Sequence, residues 1–482
     1  MEKIAVIEIK TSCVKLYISD VVRNKYFAIN RVVEMPINLT KDFYGDYFIK
    51  PNVIKEINSI LSVYKRIIEE NECVDTMCLM TDVVLEAKNQ NGFINEINVT
   101  SGYRFEIANI EEDINNTYTA IINSFNRPKG LIINVGDYNT ELIIYNRRNI
   151  INKLVIPYGC VKIHDLYKEK TFDENLAVIS ADIKKIIEES GLKADLPEEY
   201  DIIGVGDVFK DYGSICRKAK KYPLELSHNY ESNKADFEKV LSLMKNYDVN
   251  ANTKIKGVSL HNSKYLPSGL IIVKSILDNF ENDTFAISKT DRVYGKLFHE
   301  VLPITQEKPI SDTLGYSLQM LNDYYDKKPN NSQHIYELSM ILFKQLKVLH
   351  KLGRAYVKVL RIASYLSNAG YRVDAENSER VVFDIIKNSE VFGISHVELV
   401  LAAFVALGKN ADNFSLSDWV RYKEYLTDED LMAVKKLSVV LKIAEALDIT
   451  GFGNVSDVSC DILGDSVIMK TIVNADAKFE ID

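Results

Sequence analysis

The chain has 482 residues, enough for about three domains that each bury a core of their own. Its 68 acidic and 59 basic residues are well mixed and leave a net charge of −9, with no basic block, which disfavours a surface built to follow nucleic acid. Hydrophobic residues at 46% and charged residues at 26% exclude a largely disordered chain.

Cys13, Cys73, Cys78, Cys160, Cys216 and Cys460 contain no C-x-x-C pair, so reduced and mostly buried thiols are expected, not a zinc site or a disulfide framework. Glu2, Lys3 and Glu8 interrupt the apolar core that a signal peptide needs, and the apolar run 399–407 is far short of a membrane span. A cytoplasmic protein without a membrane partner is expected.

Residues 4–9 are apolar and β-branched, end in the polar turn Lys10-Thr11-Ser12-Cys13, and are followed by predicted strands over 14–18 and 27–33. A helix is predicted after Pro51 from the period of Val53, Ile54, Ile57, Ile60, Leu61, Tyr64, Ile67 and Ile68. The strand plan then recurs over 131–135, 140–145 and 150–156, with Gly136-Asp137-Tyr138-Asn139 as the first turn. Subtracting 126 lays this set on the first without a gap through that turn, the mark of an internal duplication. A second helical period covers 176–187. Two α/β lobes, 1–126 and 127–311, that each offer a strand-turn-strand loop to a common cleft are suited to gripping a phosphate chain from both sides.

Helical periods at 313–325, 334–352, 356–369, 379–388, 397–407 and 428–447 predict a separate α-helical domain over 312–450. Runs at 458–462 and 467–473 around Gly464-Asp465 predict a small hairpin in 451–482.

Glu8-Ile9-Lys10-Thr11-Ser12-Cys13-Val14-Lys15-Leu16 stands where the exopolyphosphatase/guanosine pentaphosphatase (Ppx/GppA) family has Asp-Ile-Gly-Ser-Asn-Ser-Val-Arg-Leu. Asn134-Val135-Gly136-Asp137-Tyr138-Asn139-Thr140-Glu141-Leu142 resembles that family's Asp-Ile-Gly-Gly-Gly-Ser-Thr-Glu-Leu, and Gly204-Val205-Gly206-Asp207-Val208 its Gly-x-Gly-Gly-Thr. Ala108-Asn109-Ile110-Glu111-Glu112-Asp113 is similar to Ser-Gly-x-Glu-Glu-Ala. The likeness continues through 360–370 and 392–396, similar to the family's HD-type region with Ser367-Asn368 in place of its His-Asp pair.

This resemblance implies an α/β fold of duplicated actin-like (ribonuclease H-like) ATPase lobes, followed by an α-helical HD-like domain and a small β hairpin. It implies removal of terminal phosphate from polyphosphate or guanosine pentaphosphate with Mg²⁺, and a homodimer. Glu112 takes the position of the base that aligns the attacking water. Glu8, Thr11, Ser12, Lys15, Gly136, Thr140, Glu141, Gly204 and Gly206 take phosphate or magnesium positions, Glu141 being the candidate metal ligand.

The departures fall on the same loops. Lys10, Cys13, Asp137, Tyr138 and Asp207 replace small or polar residues, Asn134 replaces an acid, and Leu85 and Pro267 stand where the family has arginines, so repulsion of phosphate is the simple expectation. Lys10 and Lys15 are the cations available to compensate. Glu111, Glu112 and Asp113 equally suit the first turn of a helix, and Glu141 a solvated strand. A hydrolase with impaired or lost activity and a non-catalytic nucleotide-sensing or scaffold protein of the same fold are both expected readings, and an actin-like filament protein is a third, by analogy of fold alone.

Overall fold

The computed structural model describes all residues except 108, 147, 168, 248–253, 305–308, 326–328, 411–413 and 474–482, and the backbone alone at 82, 329 and 330. The chain divides into two compact units, residues 1–221 with 227–311, and residues 222–226 with 312–482.

In the first unit the β-branched runs pair as strands β1 (Glu2–Ile9), β2 (Cys13–Val22) and β3 (Tyr26–Pro36), followed by α1 (Pro51–Glu70), β4 (Asp75–Met80), α2 (Gln90–Ser101), β5 (Glu106–Ile107) and α3 (Ile110–Ile122). The sheet order is β3-β2-β1-β4-β5, antiparallel through the meander and parallel between β1 and β4. Pro51 sits in the first turn of α1, where its missing N–H costs nothing, and the helix buries Val53, Ile54, Ile57, Ile60, Leu61, Tyr64 and Ile68 at helical spacing.

The second lobe of this unit contains β6 (Lys129–Val135), β7 (Thr140–Asn146), β8 (Asn149–Ile156), α4 (Cys160–Tyr167), α5 (Phe172–Ser190), β9 (Asp201–Val205), α6 (Asp207–Ala219), β10 (Tyr230–Asn233), α7 (Lys234–Met244), α8 (Leu260–Leu277), β11 (Thr284–Ile287) and α9 (Arg292–Val301). Its sheet order is β10-β11-β9-β6-β7-β8. The duplication extends to the register. Ile9 faces Val14 and Val135 faces Thr140, each shifted by 126 (135 − 9 and 140 − 14). Lys10 N–H donates to Cys13 O at 2.8 Å, and Gly136 N–H to Asn139 O at 3.0 Å, again 126 apart.

The chain returns to its first lobe through α9, which packs along α3 and touches β3, where Phe27 meets the rings of Tyr294 and Phe298. The α3–α9 approach is close because residue 295 is glycine: a Cβ there would lie 1.9 Å from the carbonyl oxygen of Asn116.

The second unit consists of α10 (Thr313–Tyr325), α11 (Pro329–Gln345), α12 (Lys347–His350), α13 (Tyr356–Leu366), α14 (Ser378–Asn388), α15 (His396–Gly408), α16 (Leu416–Val420), α17 (Asp428–Ala446) and the antiparallel hairpin β12 (Val455–Leu463) and β13 (Ser466–Val473). The apolar run expected to be too short for a membrane is α15, the central helix, closed at its start by a Ser395/Glu398 capping box and packed against α13, α14 and α17. Among the described residues no helix is long and apolar enough to cross a membrane. The hairpin joins the unit through α11, with His334 Nε2 2.9 Å from Val455 O.

Gly295→Ala is expected to destabilise the protein by about 3 kcal/mol, because the backbone of α3 must yield. Gly92→Ala, in α2 with nothing within 4 Å of the added Cβ, is expected to be neutral or stabilising by about 0.5–1 kcal/mol. Urea unfolding midpoints of the two variants check this; equal midpoints would remove the argument.

Candidate active site

The two duplicated turns face each other across a cavity of about 80 Å³ lined from both lobes. Its walls carry Lys10, Lys15 and Arg292 against Glu8, Asp113, Asp137, Glu141, Asp207 and Asp291, three cations against six carboxylates, a formal lining charge of −3.

The acids that replace the expected glycines are the groups that join the lobes. Asp137 Oδ2, on the second turn, accepts the backbone N–H of Ser12 at 2.9 Å and its hydroxyl at 2.6 Å, and Oδ1 lies 3.6 Å from Lys10 Nζ. Asp207 opens α6 directly after Gly206, and its carboxylate takes Lys10 Nζ at 2.6 Å and Lys15 Nζ at 2.9 Å. Gly206 has a φ of +102°, and a Cβ there would lie 2.4 Å from Val135 O, so a glycine is required to turn β9 into α6 and aim Asp207 at the first lobe. Lys15 also pairs with Glu34 at 3.1 Å.

Burial alone would raise the Asp207 carboxyl, but the ammoniums of Lys10 and Lys15, with Lys210 beyond them, hold it well below the usual carboxylate range. Lys10 answers in kind: burial would lower its pKa, and Asp137 and Asp207 raise it well above that of a free lysine.

Deeper in the cleft Glu8 Oε1 accepts Arg292 Nε at 2.7 Å and its Oε2 accepts the Tyr17 hydroxyl at 3.3 Å. The Arg292 guanidinium also grips Asp113 of α3, so one arginine at the start of α9 ties α3 to β1. Burial, and then Glu8, push the Tyr17 phenol well above its ordinary range.

Of the residues singled out in the sequence, Glu8, Thr11, Lys15, Gly136, Glu141 and Gly206 line the cavity. Ser12 borders it with its donors taken by Asp137, and Thr140 donates its hydroxyl to Tyr158 O at 2.7 Å. Gly204 lies against the ring of Phe209, where a Cβ would come within 2.2 Å. Glu112 lies outside the cavity lining; its side chain is 46% exposed and pairs with Lys296 at 2.7 Å. The neighbouring acid, Asp113, is the one turned into the cleft, buried at 7% exposure. Leu85 is 56% exposed and Pro267 is buried inside α8; neither lines the cavity.

Sequence reasoning missed Arg292, Asp291 and Lys210. Lys210 pairs with Asp291 at 3.0 Å, and Asp291 caps α9 by accepting Val293 N–H. The Asp-Arg step after the short apolar run 284–287 was the available signal: an N-cap acid followed by a cation in the first helical turn, where the helix dipole disfavours positive charge.

A magnesium ion of the kind the resemblance implies needs oxygen ligands free to bind it in near-octahedral array. Here Glu8 and Asp113 serve Arg292, Asp137 serves Ser12, Asp207 serves two lysines, Asp291 serves Lys210, and Glu141 accepts Asn134 Nδ2 at 3.1 Å. Among the described residues no three His, Cys, Asp or Glu side chains are grouped to hold a metal. The donor set does not fit the ion.

Because Asp207 has a lowered pKa in the folded state, its stabilisation is present above its unfolded pKa and is lost as pH falls through the folded value. Asp207→Asn is expected to lower stability by about 1–2 kcal/mol at neutral pH, the pair being partly screened, and by progressively less below pH ~4. The groups facing it are Lys10, Lys15 and Lys210, with Asp211, whose carboxyl burial and then Asp207 raise to about 7. Urea titrations of both proteins from neutral to acid pH check the convergence; a pH-independent difference would count against it.

A family model described as the Ppx/GppA phosphatase family matches residues 38–300. The bifunctional 3-dehydroquinate synthase/phosphatase of Fusobacterium nucleatum is 24% identical over 314 residues, 62% of this chain and 46% of that protein, so the chain spans about half the length of this relative. The exopolyphosphatase of Cytophaga hutchinsonii superposes with a TM-score of 0.58 at 15% identity, over 63% of this chain and 99% of that one. The Ppx/GppA family member of Aquifex aeolicus gives 0.52 at 19%, over 62% and 97%. At these identities the solved structures speak for the fold, the duplicated actin-like lobes. The family match spans more than half of the residues and holds both the second turn, with Asp137, and the Gly206-Asp207 step: the chain belongs to the Ppx/GppA phosphatase family.

Proposed function

We propose that this chain is a non-catalytic scaffold member of its family, in which hydrolysis of terminal phosphate from polyphosphate or guanosine pentaphosphate is lost and the rewritten cleft serves as a clasp between the two lobes. The reading rests on one observation above the others: Asp137 occupies the N–H and hydroxyl of Ser12, the donors of a turn that would otherwise close on a phosphate oxygen.

A phosphate entering this cleft has to displace Asp137 from Ser12 and Asp207 from Lys10 and Lys15. At roughly 1.5–3 kcal/mol for each charge-assisted bond, the exchange returns little, and the displaced carboxylates stay beside the incoming anion. A lining charge of −3 and a volume of about 80 Å³ add repulsion and crowding to that cost. Glu112, bound to Lys296 at the surface, is out of place for a base.

Phosphate release from long-chain polyphosphate and from guanosine pentaphosphate in the presence of Mg²⁺ is expected to be no greater than in a protein-free blank. Release above the blank would sink the proposal.

Replacing both blocking acids, Asp137→Gly with Asp207→Gly, frees Ser12 and Lys10 and leaves Lys15 with Glu34 alone. Restoring two charge-assisted contacts at about 1.5–3 kcal/mol each is expected to raise tripolyphosphate affinity by roughly two to four powers of ten over the wild type. Titration calorimetry reads this directly, and equal affinities would show that the acids are not what closes the cleft.

A further inference from the structure

A cavity of about 620 Å³ lies in the helical unit, within the range of sites that enclose a small organic ligand. It opens between the start of α11, the segment after α13 and the end of α17. Its charges are arranged differently from those of the cleft. The two acids in its wall are neutralised from behind: Glu445 takes the buried Lys409 at 2.8 Å, and Asp448 faces His334 Nδ1 at 3.1 Å. The two cations in its wall, Arg372 and Lys442, are exposed, and neither has a side-chain hydrogen bond or ion pair among the described residues. The cavity is therefore cationic where it meets solvent.

Its floor holds an acceptor that lacks a donor. Asn331 Oδ1 is shut off from solvent without a hydrogen-bond donor, while Asp448, only 2% exposed, keeps its Oδ2 against His334 Nδ1. An unmet buried acceptor of this kind destabilises the empty site, and a ligand bearing an N–H or O–H group satisfies it. Between rim and floor the wall is apolar, with Tyr371 at 52% and Ile449 at 70% exposure. An aromatic heterocycle covers such surface, and a bare anion or a sugar phosphate leaves it wet.

We propose that this cavity binds a nucleoside monophosphate, with the phosphate on Arg372 and Lys442, the base against Tyr371, and a donor group of the ligand on Asn331. Arginine offers the planar fork that pairs with two phosphate oxygens, and lysine a second point charge. The site is independent of the cleft and makes no use of phosphoanhydride chemistry.

The test is calorimetric titration of the full chain with AMP, GMP, the matching nucleosides and inorganic phosphate. Saturable binding of AMP or GMP is expected, at least tenfold weaker for nucleoside and for phosphate alone. Arg372→Gln with Lys442→Gln, both at exposed positions, is expected to lose at least tenfold in affinity with an unchanged unfolding midpoint, and Lys15→Gln in the cleft to lose nothing. Three results would overturn the proposal: no binding of either nucleotide up to about 1 mM, binding unchanged in the double variant, or binding abolished by Lys15→Gln, which would put the nucleotide in the cleft. Phosphate release is a separate readout, so failure here leaves the clasp untouched, and the reverse holds as well.

Discussion

Lys10 and Lys15 project from the first lobe into a part-buried cleft, where an ammonium without a partner is costly, and the carboxylate of Asp207 on the facing lobe is shared between them. The rest of the cleft is arranged around that sharing. Lys10, bound to Asp207, also lies 3.6 Å from Asp137, Asp137 holds the first turn by Ser12, and the two duplicated loops come together over a space of about 80 Å³. Gly206 is indispensable to this because its positive φ sets the start of α6, and so the direction in which Asp207 points. Behind the clasp, Arg292 performs a similar service for Glu8 and Asp113. A polar interior of this kind persists because every charge has a partner; removing one leaves its neighbour exposed to the full cost of burial.

Much of the fold was legible because its signals are local. Alternating apolar residues flanking a polar turn dictate β1–β2 and β6–β7, and the offset of 126 carried through to the paired residues themselves. The helices of the second unit follow from apolar spacing near 3.6 residues, and the expected span 313–325 coincides with α10. The cleft was legible only in part. Asp137 and Asp207 stood out as acids where small residues were expected, but their effect was expected to be repulsion of phosphate. Their partners lie 125 and 197 residues away for Ser12 and Lys10, a distance over which no periodicity informs. Arg292, 284 residues from Glu8, was invisible for the same reason.

Glu112 illustrates a different limit. A motif fixes a residue's place in the chain to within a position, whereas successive helical residues point about 100° apart. One step along α3 separates an exposed glutamate held by Lys296 from a buried aspartate held by Arg292. Spacing alone cannot choose between them; the burial of the facing helix α9 does.

The duplicated turns have a further consequence for how such a protein can change. Their strand register and turn hydrogen bond repeat at a shift of 126, yet one carries Lys10 and the other Asp137, so the two duplicated loops form opposite halves of a lock. A charge reversal in either half alone sets like charges face to face, and only a matched pair of replacements keeps the fit. Mutational drift at these loops is thereby confined to a narrow ridge on which the two halves must move in step, and a return to a glycine-lined cleft would begin from a variant less stable than either end of the path.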